Sequence, residues 1–269
     1  MAVALAALGS LVGLAPDAGS ASRWASVEAA TIHPGVVSAS PVGQCSTNFV
    51  FFQGAEVFIG QAAHCTGLGE VTDTNGCDAG SLPLGTPIVI EGASQPGTLA
   101  YSSWLAMQEA DEKDPNACAF NDFALVRLHP DDRSRVNPTM PHWGGPTGVN
   151  WSGTRALSAV YSYGSSPLRQ GLTVLSPKAG PSLGSTGGGW THLVYTLTPG
   201  IPGDSGSGML DATGKASGVL STLGITPLPA TNYFTDMNLA LGYADEHGMP
   251  GLLLALGTTP FNPNQLPLG

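Results

Sequence analysis

Gly203-Asp204-Ser205-Gly206-Ser207-Gly208 is the stretch that decides how this chain is read. Glycine on both sides of a serine is what a tight, strained turn requires. A serine hydroxyl is a poor nucleophile at neutral pH. A hydroxyl catalyst therefore needs an imidazole within hydrogen-bond reach and a carboxylate on the far ring nitrogen. Upstream the chain offers both, in Ala62-Ala63-His64-Cys65 and in Asn121-Asp122-Phe123-Ala124-Leu125. The run Phe123 to Leu128 reads as a buried strand, so an acid at its mouth is partly desolvated and needs a partner. His64 as base, Asp122 as orienting acid and Ser205 as nucleophile are the candidate catalytic residues.

The chain order His, Asp, Ser with these local motifs resembles the trypsin/chymotrypsin family of serine proteases, in its bacterial secreted form; subtilisins run Asp, His, Ser and α/β-hydrolases Ser, acid, His. The resemblance lies in three short segments. It implies an all-β fold of two antiparallel six-stranded β-barrels, a chymotrypsin-like double barrel, with a C-terminal helix. It also makes the backbone N–H groups of Gly203 and Ser205 the oxyanion donors, each typically worth about 3–4 kcal/mol. The family more often has Gly-Asp-Ser-Gly-Gly, so Ser207 is a departure. The resemblance also implies a Cys45–Cys65 bridge, joining the strand before His64 to the histidine turn, and Cys77 is then expected to pair with Cys118.

The same resemblance places the base of a specificity pocket at Pro199, six residues before the serine, with Ser221, Thr222, Leu223 and Gly224 along the other wall. It puts Ser221 within hydrogen-bond reach of Asp122. No acid stands at Pro199, so Lys and Arg are not the expected side chains before the cut; an apolar or small one is. Animal members pair the aspartate before the serine with a new N-terminal amine. Here Thr31, not Lys or Arg, immediately precedes Ile32-His33-Pro34-Gly35, and an internal arginine, Arg155 or Arg169, is expected to pair with Asp204.

Composition sets the outer limits. The 269 residues suffice for one large domain or two modest ones. With 37 glycines, 22 prolines and only 10% charged residues, the chain reads as short strands and turns. Nine Lys and Arg against 19 acids leave a net charge of −10 and no basic stripe, which argues against nucleic acid as a partner. Met1 to Leu14 is almost all small and apolar, and Gly19-Ser20-Ala21 suits signal-peptidase cleavage, so residues 1–22 read as a leader; the run is too short to cross a bilayer, and no stable membrane insertion is expected. It lacks the basic start of a signal peptide. Four cysteines without a Cys-x-x-Cys pair favour disulfides over zinc and agree with a secreted, extracellular protein.

Strands are expected at Val36 to Ser38, Phe49 to Phe52, Ala55 to Gly60, Ile88 to Ile90 and Asp122 to Leu128, then at Arg155 to Tyr163, Gly171 to Leu175, Leu193 to Thr198, Ser207 to Leu210 and Ala216 to Thr222. The first barrel spans about 32–135 and the second about 147–256, within one protease-like domain over 32–256. Asp131 to Pro146 reads as the connector, Gln108 to Pro115 as a charged surface loop, and Gly184-Ser185-Thr186-Gly187-Gly188-Gly189 as a glycine-rich loop without the lysine of a phosphate site. Thr235-Asp236 caps a helix ending near His247-Gly248. Leu252 to Leu256 is expected to extend that packing, and 257–269 to form a loose tail. His33, His129, His142, His192 and His247 show no ligand spacing and read as structural or surface residues; no metal or cofactor is expected. The expected function is a secreted serine endopeptidase acting on protein or peptide substrates, and the alternative is a catalytically silent binding or adhesive protein on the same scaffold. The sequence carries no signal for an oligomeric state.

Overall fold

Two β-sheets, one drawn mainly from each half of the chain, hold most of the regular secondary structure among the described residues. The computed structural model describes residues 23–69, 75–224 and 229–267; the leader expected at 1–22 lies outside the described residues. In the first half, β1 (Val37–Ser40), β2 (Gly43–Ser46), β3 (Val50–Gln53), β4 (Glu56–Gln61), β5 (Pro87–Ile90), β6 (Gly97–Ser102) and β7 (Ala124–Arg127) join an antiparallel sheet. In the second half, β8 (Ala159–Tyr163), β9 (Pro177–Thr186), β10 (Thr191–Val194), β11 (Gly208–Asp211), β12 (Ala216–Gly224) and β13 (Thr231–Asp236) form a closed barrel in the order β10-β13-β12-β11-β8-β9. A last short strand, β14 (Leu253–Leu254), returns to the first sheet, whose order is β14-β3-β4-β7-β6-β5-β1-β2.

Burial explains why these segments are strands. β5 alternates, with Ile88 and Ile90 buried and Pro87 and Val89 exposed, as a strand with one wet face should. β4 lies between β3 and β7 and is buried at every residue after Glu56. Phe49, Phe51, Phe58, Ile59 and Phe123 fill the first core, where the Phe51 and Phe123 rings meet edge to face at 5.7 Å. Val160, Val194, Met209, Leu220 and Phe234 form a smaller cluster inside the second barrel.

The two-sheet, mostly β fold is the expected one, and the second barrel has the six strands expected of it. The first sheet differs in count: among the described residues it holds eight strands and its ladder keeps two ends. The expected strand at Gly171 to Leu175 is instead a 3₁₀ turn at Thr173–Leu175, because Gln170 and Gly171 take positive φ of 50° and 81° and break an extended run. The charged loop after Gln108 is flanked by two short helices, α1 (Ser103–Glu109) and α2 (Pro115–Phe120). Asp114 caps α2 by accepting from the Asn116 amide at 2.9 Å, with Pro115 in the first turn. The third helix, α3 (Met237–Glu246), starts and stops where its sequence says: Asp236 Oδ1 accepts from the Leu239 amide at 2.8 Å.

The chain end departs most from expectation. Leu253 and Leu254 pair with Phe52 and Phe51 of β3, so Leu252 to Leu256 does not simply extend the packing of α3 on the second barrel. The tail is not loose. Thr258 hydrogen-bonds Asn137 and Thr139 of the connector, and the Phe261 ring packs on Tyr161 at 5.2 Å. Both disulfides form as the resemblance implied: Cys45–Cys65 ties β2 to the turn that carries His64, and Cys77–Cys118 anchors α2 ahead of Asp122. Among the described residues no helix is long and apolar enough to cross a membrane.

Candidate active site

The Ser205 turn is held from both halves of the molecule. Gly203 and Gly206 have φ of +94° and +86°, where an L side chain is strained. A Cβ on Gly206 would lie 2.4 Å from the Ser46 carbonyl oxygen and 2.9 Å from the Ala62 nitrogen. A bare backbone is thus what lets the turn seat against Ala62, two residues before His64. Ser46 donates its amide to the Ser205 carbonyl at 2.8 Å and its hydroxyl to the Gly203 carbonyl at 2.9 Å, while Asn48 Nδ2 donates to the Gly206 carbonyl at 3.1 Å. From the second barrel, the Leu220 carbonyl accepts from Gly206 at 2.6 Å. Among the described residues, the amides of Gly203 and Ser205 donate no hydrogen bond within the chain. Ser207 fits its unusual place because it is fully buried and its hydroxyl donates to the Asp204 carbonyl at 2.7 Å.

His64 and Asp122 meet directly. His64 Nδ1 lies 2.6 Å from Asp122 Oδ2, and the His64 amide donates to Oδ1 at 2.9 Å. Ser221 Oγ donates to the same Oδ2 at 2.6 Å. The β12–β13 register slips between Leu220 and Thr222, so Ser221 is the extra residue of a bulge; such a residue leaves the ladder and re-aims its side chain. Burial works against the imidazolium, but the Asp122 carboxylate outweighs it and raises the His64 pKa above its ordinary value. Burial likewise opposes the carboxylate, and the charge and hydrogen bonds of His64 with the Ser221 bond still lower the Asp122 pKa. Both shifts favour the ion pair over the neutral pair.

What holds Asp122 is a residue that sequence reasoning did not single out. Ser103, at the head of α1, is fully buried; its hydroxyl donates to the Asn121 carbonyl at 2.7 Å and accepts from the Phe123 amide at 3.0 Å, and its own amide donates to the Phe123 carbonyl at 2.8 Å. It clamps the backbone on both sides of the acid. Ser103→Ala leaves a buried carbonyl and a buried amide short of partners, and is expected to cost about 2 kcal/mol of stability. Urea melts check this, and an unchanged midpoint would mean that the clamp around Asp122 adds nothing to stability.

The partner of Asp204 is Arg169, not Arg155, which is exposed. Arg169 Nη1 donates to Asp204 Oδ1 at 2.6 Å, and Nη2 to Oδ2, a bidentate fork with both residues buried. The amides of Ile201 and Ser166 add bonds at 3.0 and 3.2 Å. Burial raises the Asp204 pKa, but Arg169 and Lys178 together hold it below the usual carboxylate value. Lys178 is a second buried cation, 1% exposed, with Nζ 3.0 Å from the Ser176 carbonyl and 3.4 Å from Asp204 Oδ2.

Burial pushes the Lys178 pKa down to about 8 from 10.5, against the pull of Asp204. A depressed lysine pKa means that the unfolded chain binds more protons between those values, so folding stability rises as pH goes from about 8 to about 10.5. At about 1.4 kcal/mol per pH unit this amounts to about 3 kcal/mol. Below pH 8 both states are protonated and the contribution is flat. Lys178→Met is expected to abolish the rise and to be neutral or stabilising at pH 7, since Asp204 keeps Arg169; urea melts across pH 7 to 10.5 check it.

The expected pocket residues fall in two places. Ser221, Thr222, Leu223 and Gly224 run together along the end of β12. Pro199 borders an apolar surface groove with Leu168, Leu172, Leu197 and Ile201, and its carbonyl faces Arg169. The neighbouring Gly200 faces inward, where its backbone is bracketed by Asn232: Oδ1 accepts from the Gly200 amide at 2.7 Å and Nδ2 donates to the carbonyl at 3.3 Å. Asn232 is buried and was not legible beforehand, since β13 itself was not read as a strand. The ligand atoms of His64, Cys45 and Cys65 lie within 4.8 Å of one another, but both sulfurs are in the disulfide and offer no thiolate to a metal.

No protein-family model matches this chain, and no curated protein matches it. Solved structures do. Thermobifida fusca Protease A is 21% identical with a TM-score of 0.54, over 85% of this chain and 100% of that one. A glutamic acid-specific serine protease described as using a histidine triad in substrate binding is 16% identical with a TM-score of 0.52, over 83% and 100%. The likeness establishes the fold: this chain has the chymotrypsin-like serine protease fold.

Proposed function

We propose that the protein is a secreted serine endopeptidase that forms an acyl-enzyme on Ser205. The observation that carries the reading is the Asp122–His64 pair, buttressed by Ser221, beside a glycine-flanked Ser205 turn that abuts Ala62. Asp122 accepts from His64 Nδ1–H and so leaves Nε2 as the base. As the Ser205 oxygen attacks the peptide carbonyl, its proton passes to Nε2, and negative charge grows on the carbonyl oxygen toward the amides of Gly203 and Ser205. The imidazolium, stabilised by the carboxylate, then protonates the leaving amine, and water repeats the sequence to release the acid. Ser46, Asn48 and Arg169 act one step back, by fixing the turn from both halves.

No acid stands at Pro199, and the amide of Asn232 is spent on Gly200, which supports an apolar or small side chain before the cut rather than Lys or Arg. Two disulfides support export. A mixed peptide library tests the reading: cleavage after small or apolar residues is expected, with loss of all turnover in Ser205→Ala. A folded chain that leaves the library intact favours the binding-protein alternative, and cleavage confined to Lys or Arg sites overturns the pocket assignment.

A further inference from the structure

A hydrogen-bonded Ser–His–Asp chain lies in the second barrel, and none of its members hydrogen-bonds His64, Asp122 or Ser205 in the described structure. Ser185 near the end of β9 and His192 on β10 are cross-strand partners in register and so share a face. Ser185 Oγ lies 2.8 Å from His192 Nδ1, and His192 Nε2 lies 2.7 Å from Asp236 Oδ2. His192 is 0% and Asp236 4% exposed, whereas Ser185 is exposed to solvent. Asp236 Oδ1 caps α3 through the Leu239 amide, which fixes the carboxylate at a helix N-terminus, where negative charge is favoured.

The tautomer follows from these contacts. An ionised Asp236 can only accept, so the shared proton sits on Nε2 and the Nδ1 lone pair faces Ser185. The one hydroxyl proton of Ser185 has a second acceptor, the Thr154 carbonyl, but at 3.4 Å against 2.8 Å for the imidazole. A tie between β10 and α3 is complete with His192 and Asp236 alone. Ser185, at an exposed position, adds a hydroxyl to a preset base, and its sequence neighbours Gly184 and Thr186 are small.

We infer that Ser185 is a second base-activated hydroxyl, a site of acylation by small activated esters. In the step, the Ser185 oxygen bonds to the carbonyl carbon of an aryl acetate and the bond to the aryl oxygen breaks with its electron pair. The hydroxyl proton moves to His192 Nδ1 and from there to the departing phenolate. The products are O-acetyl-Ser185 and a phenol. The inference does not rest on Ser205.

The test uses the full-length Ser205→Ala protein, so that Ser205 cannot take part, treated with 4-nitrophenyl acetate and mapped by peptide mass spectrometry. Acetylation of Ser185 is expected to exceed that of the exposed serines Ser94 and Ser152 by about a hundredfold or more, the usual contribution of a positioned base. The acetyl group should vanish from that peptide in the Ser205→Ala/Ser185→Ala double variant, and should fall to the level of ordinary serines in Ser205→Ala/His192→Gln with a native thermal melt. Ser185 acetylated no faster than Ser94 and Ser152 in folded Ser205→Ala overturns the inference. That comparison stands even if the His192 variant does not fold. Fluorophosphonate labelling of Ser205 in the native chain is a separate outcome, so failure at either serine leaves the other reading intact.

Discussion

Asp122→Asn is expected to leave the protein folded and to lower kcat by about 10⁴-fold, because the amide can donate to His64 Nδ1 and so select the wrong tautomer of the base. The geometry sharpens the expectation. Oδ2 of Asp122 takes both His64 Nδ1 and Ser221 Oγ at 2.6 Å, so one atom fixes the ring and is itself fixed from the second barrel. A pH dependence follows with a defined sign. Asp122 raises the His64 pKa against burial, so native activity should fall as pH drops through a midpoint above the ordinary histidine value of about 6.5. In the Asn variant burial acts without the opposing charge, and the midpoint of the residual activity should move down. Profiles of kcat/KM from pH 5 to 8 for both proteins check this; a shared midpoint would show that the carboxylate does not set the His64 titration.

Arg169→Met is expected to be the most damaging change remote from the proposed chemistry. Asp204 is fully buried, and the guanidinium supplies two of its closest bonds; removing one partner of a buried pair typically costs about 3–5 kcal/mol. Lys178 remains, but at 3.4 Å from a single oxygen it cannot replace a bidentate fork. The loss falls on the turn between Gly203 and Ser205, whose amides would receive the developing oxyanion. Both a lower urea midpoint and a kcat/KM reduced by at least about a hundredfold are therefore expected. Arg169→Lys should restore little of either. Native-like stability in Arg169→Met would mean that Lys178 and the amides of Ile201 and Ser166 suffice to hold Asp204.

Local chemistry made some features legible before any coordinates. The glycine pair around Asp204-Ser205, the cysteine beside His64 and the buried run after Asp122 each carry their own physical reason, and the cap at Asp236 marks the start of α3 in the same way. Arg169 could not be separated from Arg155 by sequence, because what distinguishes them is burial: Arg169 lies on the 3₁₀ turn Pro167–Arg169 behind Gly203, and Arg155 on the surface. β9 was hidden by Pro181, Gly180 and Gly184, residues that argue against a strand; the ladder accommodates them with a register shift opposite Leu193 and Val194.

Contacts between distant segments were beyond local reading altogether. Ser103 and Phe123 sit on different elements, as do Lys178 and Asp204, Gly200 and Asn232, and Ser185 and Asp236. Nothing in a window around one member of such a pair signals the other. The tail looked unstructured because its proline-rich composition offers no periodicity, yet Phe261 finds a ring to pack on and Thr258 finds two polar partners in the connector. Its anchors are tertiary, and tertiary anchors leave little trace in local pattern.

The most direct measurement is to treat the native, Asp122→Asn and Ser205→Ala proteins with a fluorophosphonate and map the adduct by mass spectrometry. A working triad predicts a stoichiometric adduct on Ser205 in the native chain, formation slowed by orders of magnitude in Asp122→Asn, and no adduct at residue 205 in Ser205→Ala. A natively folded chain whose Ser205 stays unmodified, or is modified equally fast without the Asp122 carboxylate, would contradict it.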